Sequence, residues 1–145
     1  MSLKYSINFN IPKRSKKLIK FIIIHYTGMK SESKAIDRLC DSSSKVSAHY
    51  FIKDNGKLLN LVPDLYESWH AGKSSWKNLK GLNKYSIGIE INNRGHSYGY
   101  PKFKKKQIST LQKLLKNLIY KYKIRNRDIL GHSDIAPDRK KDPGE

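Results

Sequence analysis

Residues 18–28 read LIKFIIIHYTG, and this stretch decides what kind of fold the chain adopts. Five of the six residues from 19 to 24 are apolar and residues 22–24 are consecutive isoleucines, a pattern that reads as a strand buried on both faces. A strand of that kind needs a sheet with other layers packed against it. The expected fold is therefore a central mixed β-sheet flanked by α-helices, in the α/β or α+β class. His25 follows at the carboxyl end of the strand, and Tyr26-Thr27-Gly28 turns the chain away. Groups that bind metals and substrates commonly project from strand ends, which makes His25 a candidate ligand.

The far end of the chain supplies matching chemistry. Residues 131–145 read GHSDIAPDRKKDPGE, and Pro137 and Pro143 keep this run from being one regular helix. His132, Lys140 and Asp142 place an imidazole, an ammonium and a carboxylate close together. Imidazole nitrogen and carboxylate oxygen both bind zinc, and a catalytic zinc site uses three protein ligands and keeps the fourth position for water. His132 and Asp142 offer two ligands, and His25 is the best source of another. By chemistry alone His49 competes with Asp142 for the third position. A short strand at 128–130 leading into Gly131-His132 brings His132 to the same sheet edge as His25.

The segments between fill in the sheet and its surroundings. A helix is expected over 31–41, containing Cys40 as a small buried hydrophobe, and strands over 46–52 and 57–61, joined by Asp54-Asn55-Gly56 as a hairpin turn. His49 falls in the first of these strands. Trp69-His70-Ala71-Gly72 sets an aromatic residue beside small ones, which suits a wall that packs on sugar or peptide. Residues 85–92, YSIGIEIN, alternate strictly, so Glu90 lies on the face opposite the isoleucines and Gly88, on the face of Glu90, leaves space for a ligand. Residues 92–101, NNRGHSYGYP, read as a loop bordering a site, with Arg94 able to grip a peptide carboxylate. A long helix is expected over 104–122, with Ile108, Leu111, Leu115, Leu118, Ile119 and Tyr122 as its apolar stripe. Residues 1–17 read as an extended lead-in.

With 145 residues the chain is expected to form a single domain over 1–145. Its longest apolar run, residues 21–24, excludes a membrane-spanning helix. One cysteine excludes an internal disulfide. The opening MSLKYSINFNIPKRSKK has no signal-peptide pattern, so a cell-envelope location requires a separate export segment and the location is otherwise cytoplasmic. Thirty basic residues against twelve acidic ones give a net charge of +18, which favours polyanions. No helix-turn-helix, zinc-finger or aromatic RNA-binding signature accompanies that charge, so no specific nucleic-acid partner is expected.

Five motifs in order, FIIIHYTG, VSAHYFI, WHAG, SIGIEINNRG and HSDIAPDRKKDPG, resemble the zinc-dependent N-acetylmuramoyl-L-alanine amidases of the type-2 amidase family, relatives of phage lysozyme amidases and peptidoglycan recognition proteins. The resemblance runs from about Leu18 to the last residue and is greatest to the bacterial branch that cleaves intact and anhydro-muropeptides. It implies the fold of that family, with hydrolysis of the amide between N-acetylmuramic acid and L-alanine in peptidoglycan or muropeptides. It also implies one catalytic Zn2+ held by His25, His132 and Asp142, with Glu90 as general base and acid and Lys140 beside the oxyanion. Tyr26, His49, Trp69, His70, Arg94 and Ser133 complete the expected substrate-binding set, and a monomer is expected. Two residues select among family variants: Ala48 stands where some phage relatives carry a catalytic tyrosine, and Asp142 where some members use cysteine. Relatives usually continue past DPG with an aromatic segment, so a shortened tail is expected to loosen the Asp142 loop or open the substrate groove. The alternatives are a recognition module that binds peptidoglycan without cutting it and, further off, a basic nucleic-acid-binding protein.

Overall fold

The isoleucine run forms the strand its pattern encodes, and the sheet assembles on it. The computed structural model describes residues 4–144; residues 1–3 and 145, the outermost parts of the expected lead-in and terminal run, lie outside the described residues. The elements are β1 (Phe9–Asn10), β2 (Phe21–Tyr26), α1 (Glu32–Cys40), β3 (Tyr50–Ile52), β4 (Leu58–Asn60) and β5 (Glu67–Ser68). There follow β6 (Ser75–Trp76), β7 (Leu79–Lys80), β8 (Ser86–Ile91), α2 (Lys105–Tyr122), β9 (Ile129–Gly131) and α3 (His132–Ile135). The main sheet has the order β4-β3-β8-β2-β9, in which only the edge strand β4 is antiparallel to its neighbour. It is the mixed sheet expected. No helix of the described residues is long and apolar enough to cross a membrane.

Alternation along the central strands divides the core. Ile22 of β2 and Ile87, Ile89 and Ile91 of β8 face α2, where they meet Leu114, Leu118 and Tyr122. Phe21 and Ile23 face the other way, against Ala71, Leu82, Leu130 and Ile135. α1 packs its Ala35, Ile36 and Leu39 on Phe51 and Leu61. Ser31 caps α1, its hydroxyl accepting from the Lys34 amide at 3.2 Å. In the hairpin between β3 and β4, Gly56 adopts φ +84°, a conformation that glycine reaches without steric cost.

Several boundaries differ from the sequence reading. Residues 46–49 of the expected strand lie outside β3: Ser47 bonds to Trp69 and only at His49 does the chain join β8, through the Gly88 carbonyl at 3.0 Å. The stripe of α2 is rotated, since Leu114 is buried and Ile108 is 37% exposed. Both residues lie close to the apolar arc, and the direction of the sheet decides between them. Within residues 4–17, Phe9–Asn10 form β1, which pairs with β5. Cys40 is half-buried and free at the end of α1.

Candidate metal centre

Strand register assembles the site. His25 of β2 is the direct partner of Glu90 of β8, and Ile24 is the partner of Gly131 of β9, so His25, Glu90 and His132 occupy neighbouring positions along the carboxyl edge of three parallel strands. Asp142 reaches the same edge because α3 lasts only one turn. The chain then folds back until the Ser133 amide donates to the Asp142 carbonyl at 2.9 Å.

The donor atoms converge. His25 Nδ1 lies 3.0 Å from His132 Nδ1, and Asp142 Oδ2 lies 3.2 Å from the former and 3.3 Å from the latter. Among the described residues these three form the group of side chains able to hold a metal ion, and all three are buried. Ligands bound at about 2.0–2.1 Å in a tetrahedral zinc site stand roughly 3.3–3.4 Å apart, so the spacing fits. Proton positions fit as well. His132 Nε2 lies 2.8 Å from the Ala71 carbonyl, which can only accept, so in the neutral ring Nδ1 carries a lone pair. Three electron pairs pointed at one buried spot repel one another unless a cation lies between them.

Electrostatics favour the same state. Burial lowers the pKa of His25, with the charge of His132 adding to the effect and Asp142 opposing it. Burial alone would raise the Asp142 carboxyl, but hydrogen bonds and positive charge from His132 and His25, which those rings supply when protonated, outweigh that and hold it below the usual carboxylate range, and a bound cation would take over that part. Neutral imidazoles and an ionised carboxylate are the forms that bind a metal.

The cluster opens into a cavity of about 600 Å³, lined among others by Glu90, Lys140, Tyr26 and Trp69. Glu90 Oε2 is buried and has no hydrogen-bond partner. Burial raises the Glu90 carboxyl well above its ordinary range; the negative charge of Asp142 adds to this and the positive charge of Lys140 opposes it. An unpaired buried oxygen facing a cavity is costly and suits a group that exchanges protons with something bound there.

The other expected site residues divide. Tyr26, Trp69 and His70 line the cavity, while His49, Arg94 and Ser133 do not. His49 is fully buried: its Nδ1 accepts from the Gly88 amide at 3.0 Å and its Nε2 donates to the Tyr66 carbonyl at 2.8 Å. His49 thus uses both ring nitrogens inside the protein and is not part of the cavity lining. Arg94 is exposed and outside the cavity lining, although His96 and Ser97 of the same loop belong to that lining. Ser133 serves through its backbone, holding the Asp142 carbonyl. The space at Gly88 is taken by the ring of His70, not by a ligand, since a Cβ there would overlap that ring. The Trp69 indole donates to Asn10 Oδ1 at 2.9 Å, leaving its ring to form cavity wall. Arg38 of α1 and Lys141 also reach the cavity. Among so many surface cations no sequence signal singles them out.

The fold is that of the type-2 amidases. Residues 14–145 match the sequence profile of the N-acetylmuramoyl-L-alanine amidases, and the chain belongs to that family. It is 41% identical over 138 residues to the N-acetylmuramoyl-L-alanine amidase AmiD of Escherichia coli, covering 87% of this chain and 49% of that protein. To the 1,6-anhydro-N-acetylmuramyl-L-alanine amidase AmpD of the same organism it is 36% identical over 100 residues, covering 69% of this chain and 52% of that protein. The chain thus spans about half the length of both relatives. The structure of AmiD in complex with its substrate anhydro-N-acetylmuramic acid-L-Ala-D-gamma-Glu-L-Lys superposes with a TM-score of 0.81 at 37% identity, covering 93% of this chain and 56% of that one. AmpDh3 from Pseudomonas aeruginosa superposes with a TM-score of 0.83 at 31% identity, covering 99% and 61%.

Proposed function

We propose that this chain is a zinc-dependent amidase domain that hydrolyses the bond between the lactyl carbonyl of N-acetylmuramic acid, or of its 1,6-anhydro form, and L-alanine of the stem peptide. The observation that carries this reading is the meeting of three converging metal-binding groups with a buried, unpaired carboxyl in one cavity. His25, His132 and Asp142 would hold one Zn2+, which supplies Lewis acidity toward the carbonyl and a water acidified to a pKa near 7. Glu90 takes a proton from the attacking water as the new C–O bond forms. It then delivers that proton to the alanine nitrogen as the C–N bond breaks, leaving a lactyl carboxylate and a free α-amine. Lys140, half-buried on the cavity wall, faces the developing oxyanion with its ammonium. The rings of Tyr26 and Trp69 flank the muropeptide. The domain acts as a monomer on cell-wall material, and its surface charge adds attraction to anionic wall polymers.

A binding-only module leaves the complete ligand set and the orphaned Glu90 oxygen without a use. The test is release of L-alanine amino termini from purified muropeptide by chelator-stripped protein, before and after one equivalent of zinc. Zinc-dependent release is expected; no release from protein that has bound its zinc overturns the enzymatic reading in favour of recognition.

A further inference from the structure

The sequence casts His70 as a substrate contact, yet both of its ring nitrogens are engaged inside the protein. His70 Nδ1 lies 3.0 Å from His25 Nε2, and His70 Nε2 lies 3.0 Å from Ser86 Oγ. The Ser86 hydroxyl is 2.6 Å from the Leu82 carbonyl, which has no proton to give, so the serine hydrogen points there. Ser86 Oγ can then only accept from His70 Nε2–H. In a neutral ring that leaves His70 Nδ1 as an acceptor, so His25 Nε2 must be the donor and His25 Nδ1 must carry the lone pair. Hydrogen bonds are thus donated in sequence from His25 Nε2 to His70, from His70 to Ser86 and from Ser86 to the Leu82 carbonyl, and the acceptor at the end of the chain sets the tautomer at its start.

We propose that residues 70–71 form an orienting strap for both imidazole ligands: the His70 side chain, held by Ser86, fixes the tautomer and aim of His25, and the Ala71 carbonyl does the same for His132. The inference rests on the metal reading of the site. His25 meets His70 edge to face, with ring centroids 5.1 Å apart at 86°, and His132 Nε2 donates to the Ala71 carbonyl at 2.8 Å. The strap itself is pinned. Asn83 Oδ1 accepts from the His70 and Ala71 amides at 3.1 and 2.7 Å, and Arg139 Nη2 donates to the Ala71 carbonyl at 3.2 Å. Gly88 is part of the device, because a side chain at that position would overlap the His70 ring. His70 is therefore a positioning residue, and its place on the cavity wall follows from its contact with His25.

The experiment measures metal binding without substrate: zinc dissociation constants by competition with a chelating dye, and the visible spectrum of the cobalt-loaded protein. His70→Leu keeps the bulk but removes the acceptor, and is expected to weaken zinc binding about 10–100-fold and to lower the intensity of the tetrahedral cobalt bands. His70→Asn places an amide oxygen near the position of Nδ1 and is expected to lose no more than roughly tenfold, the lower end of that range. Unchanged affinity in His70→Leu, or equal losses in both variants, overturns the strap. Should His70→Leu fail to fold, Ser86→Ala carries the test: weakened zinc binding supports the proposal and unchanged binding overturns it. An unsubstituted protein that binds no zinc overturns the proposed function itself. Tight zinc binding without hydrolysis overturns only the enzymatic reading and leaves the strap standing.

Discussion

Glu90 is the residue at which stability and chemistry oppose each other. Its carboxyl is buried, raised well above the ordinary range and paired with nothing at Oε2. A carboxyl whose folded pKa is raised binds its proton more tightly in the folded state. Stability is therefore lost as pH rises from the unfolded value of about 4.3 through the folded one. In metal-free protein, Glu90→Gln is expected to melt a few degrees higher than the unsubstituted chain at neutral pH, with the difference shrinking toward pH 4 in calorimetric scans. Turnover should fall by about 10²–10⁴, the usual contribution of a general base, while zinc affinity stays within a few-fold. A Glu90→Gln protein that is fully active removes this residue from the mechanism. The position of Glu90 was legible in the sequence because strict alternation in YSIGIEIN puts it opposite the isoleucines. The neighbouring role of Gly88 was not, because a missing side chain does not say whether a ligand or another part of the protein fills the space.

Among elements, the short ones around the site carry the delicate work. β2, β8 and β9 are held by continuous parallel register and buried isoleucines, so His25, Glu90 and the start of α3 are fixed by the sheet. Asp142 sits instead on a turn that needs outside support. The Tyr26 hydroxyl is 2.8 Å from His96 Nδ1, and His96 stacks on Tyr100 with centroids 4.3 Å apart at 9°. The Tyr100 hydroxyl in turn donates to the Pro143 carbonyl at 2.8 Å. The loop once expected only to border the site thus ties the turn carrying Asp142 to the end of β2. Tyr100→Phe keeps the stacked ring and removes that bond, worth about 0.5–1.5 kcal/mol, and zinc affinity is expected to drop roughly 2–10-fold in the dye competition. An unchanged affinity would mean that the Ser133 amide alone is enough to seat Asp142.

At the scale of the whole molecule, the candidate centre joins β2, near the start of the chain, to its last turn, so a metal there binds only the folded chain. Zinc at a hundredfold excess over its dissociation constant is expected to stabilise the domain by about 2.7 kcal/mol, which for a chain near this size raises the melting temperature by roughly 5–10 °C. Differential scanning fluorimetry before and after chelation measures this, and a chelator-insensitive melt would contradict a metal centre in this cluster. What the sequence determined by itself was whatever local pattern encodes: the buried strand at 21–24, the alternation that aims Glu90, the hairpin at Asn55-Gly56, the long amphipathic helix, and the types of side chain able to bind zinc. Family resemblance then selected Asp142 over His49. Only the tertiary structure decided which polar groups finish their hydrogen bonds inside the protein. His49 is enclosed between the Gly88 amide and the Tyr66 carbonyl, Arg94 is turned outward, and His70 is committed to His25 and Ser86. The reason is physical: a histidine carries the same chemistry wherever it stands, and its role is set by which donors and acceptors distant segments bring to its two nitrogens.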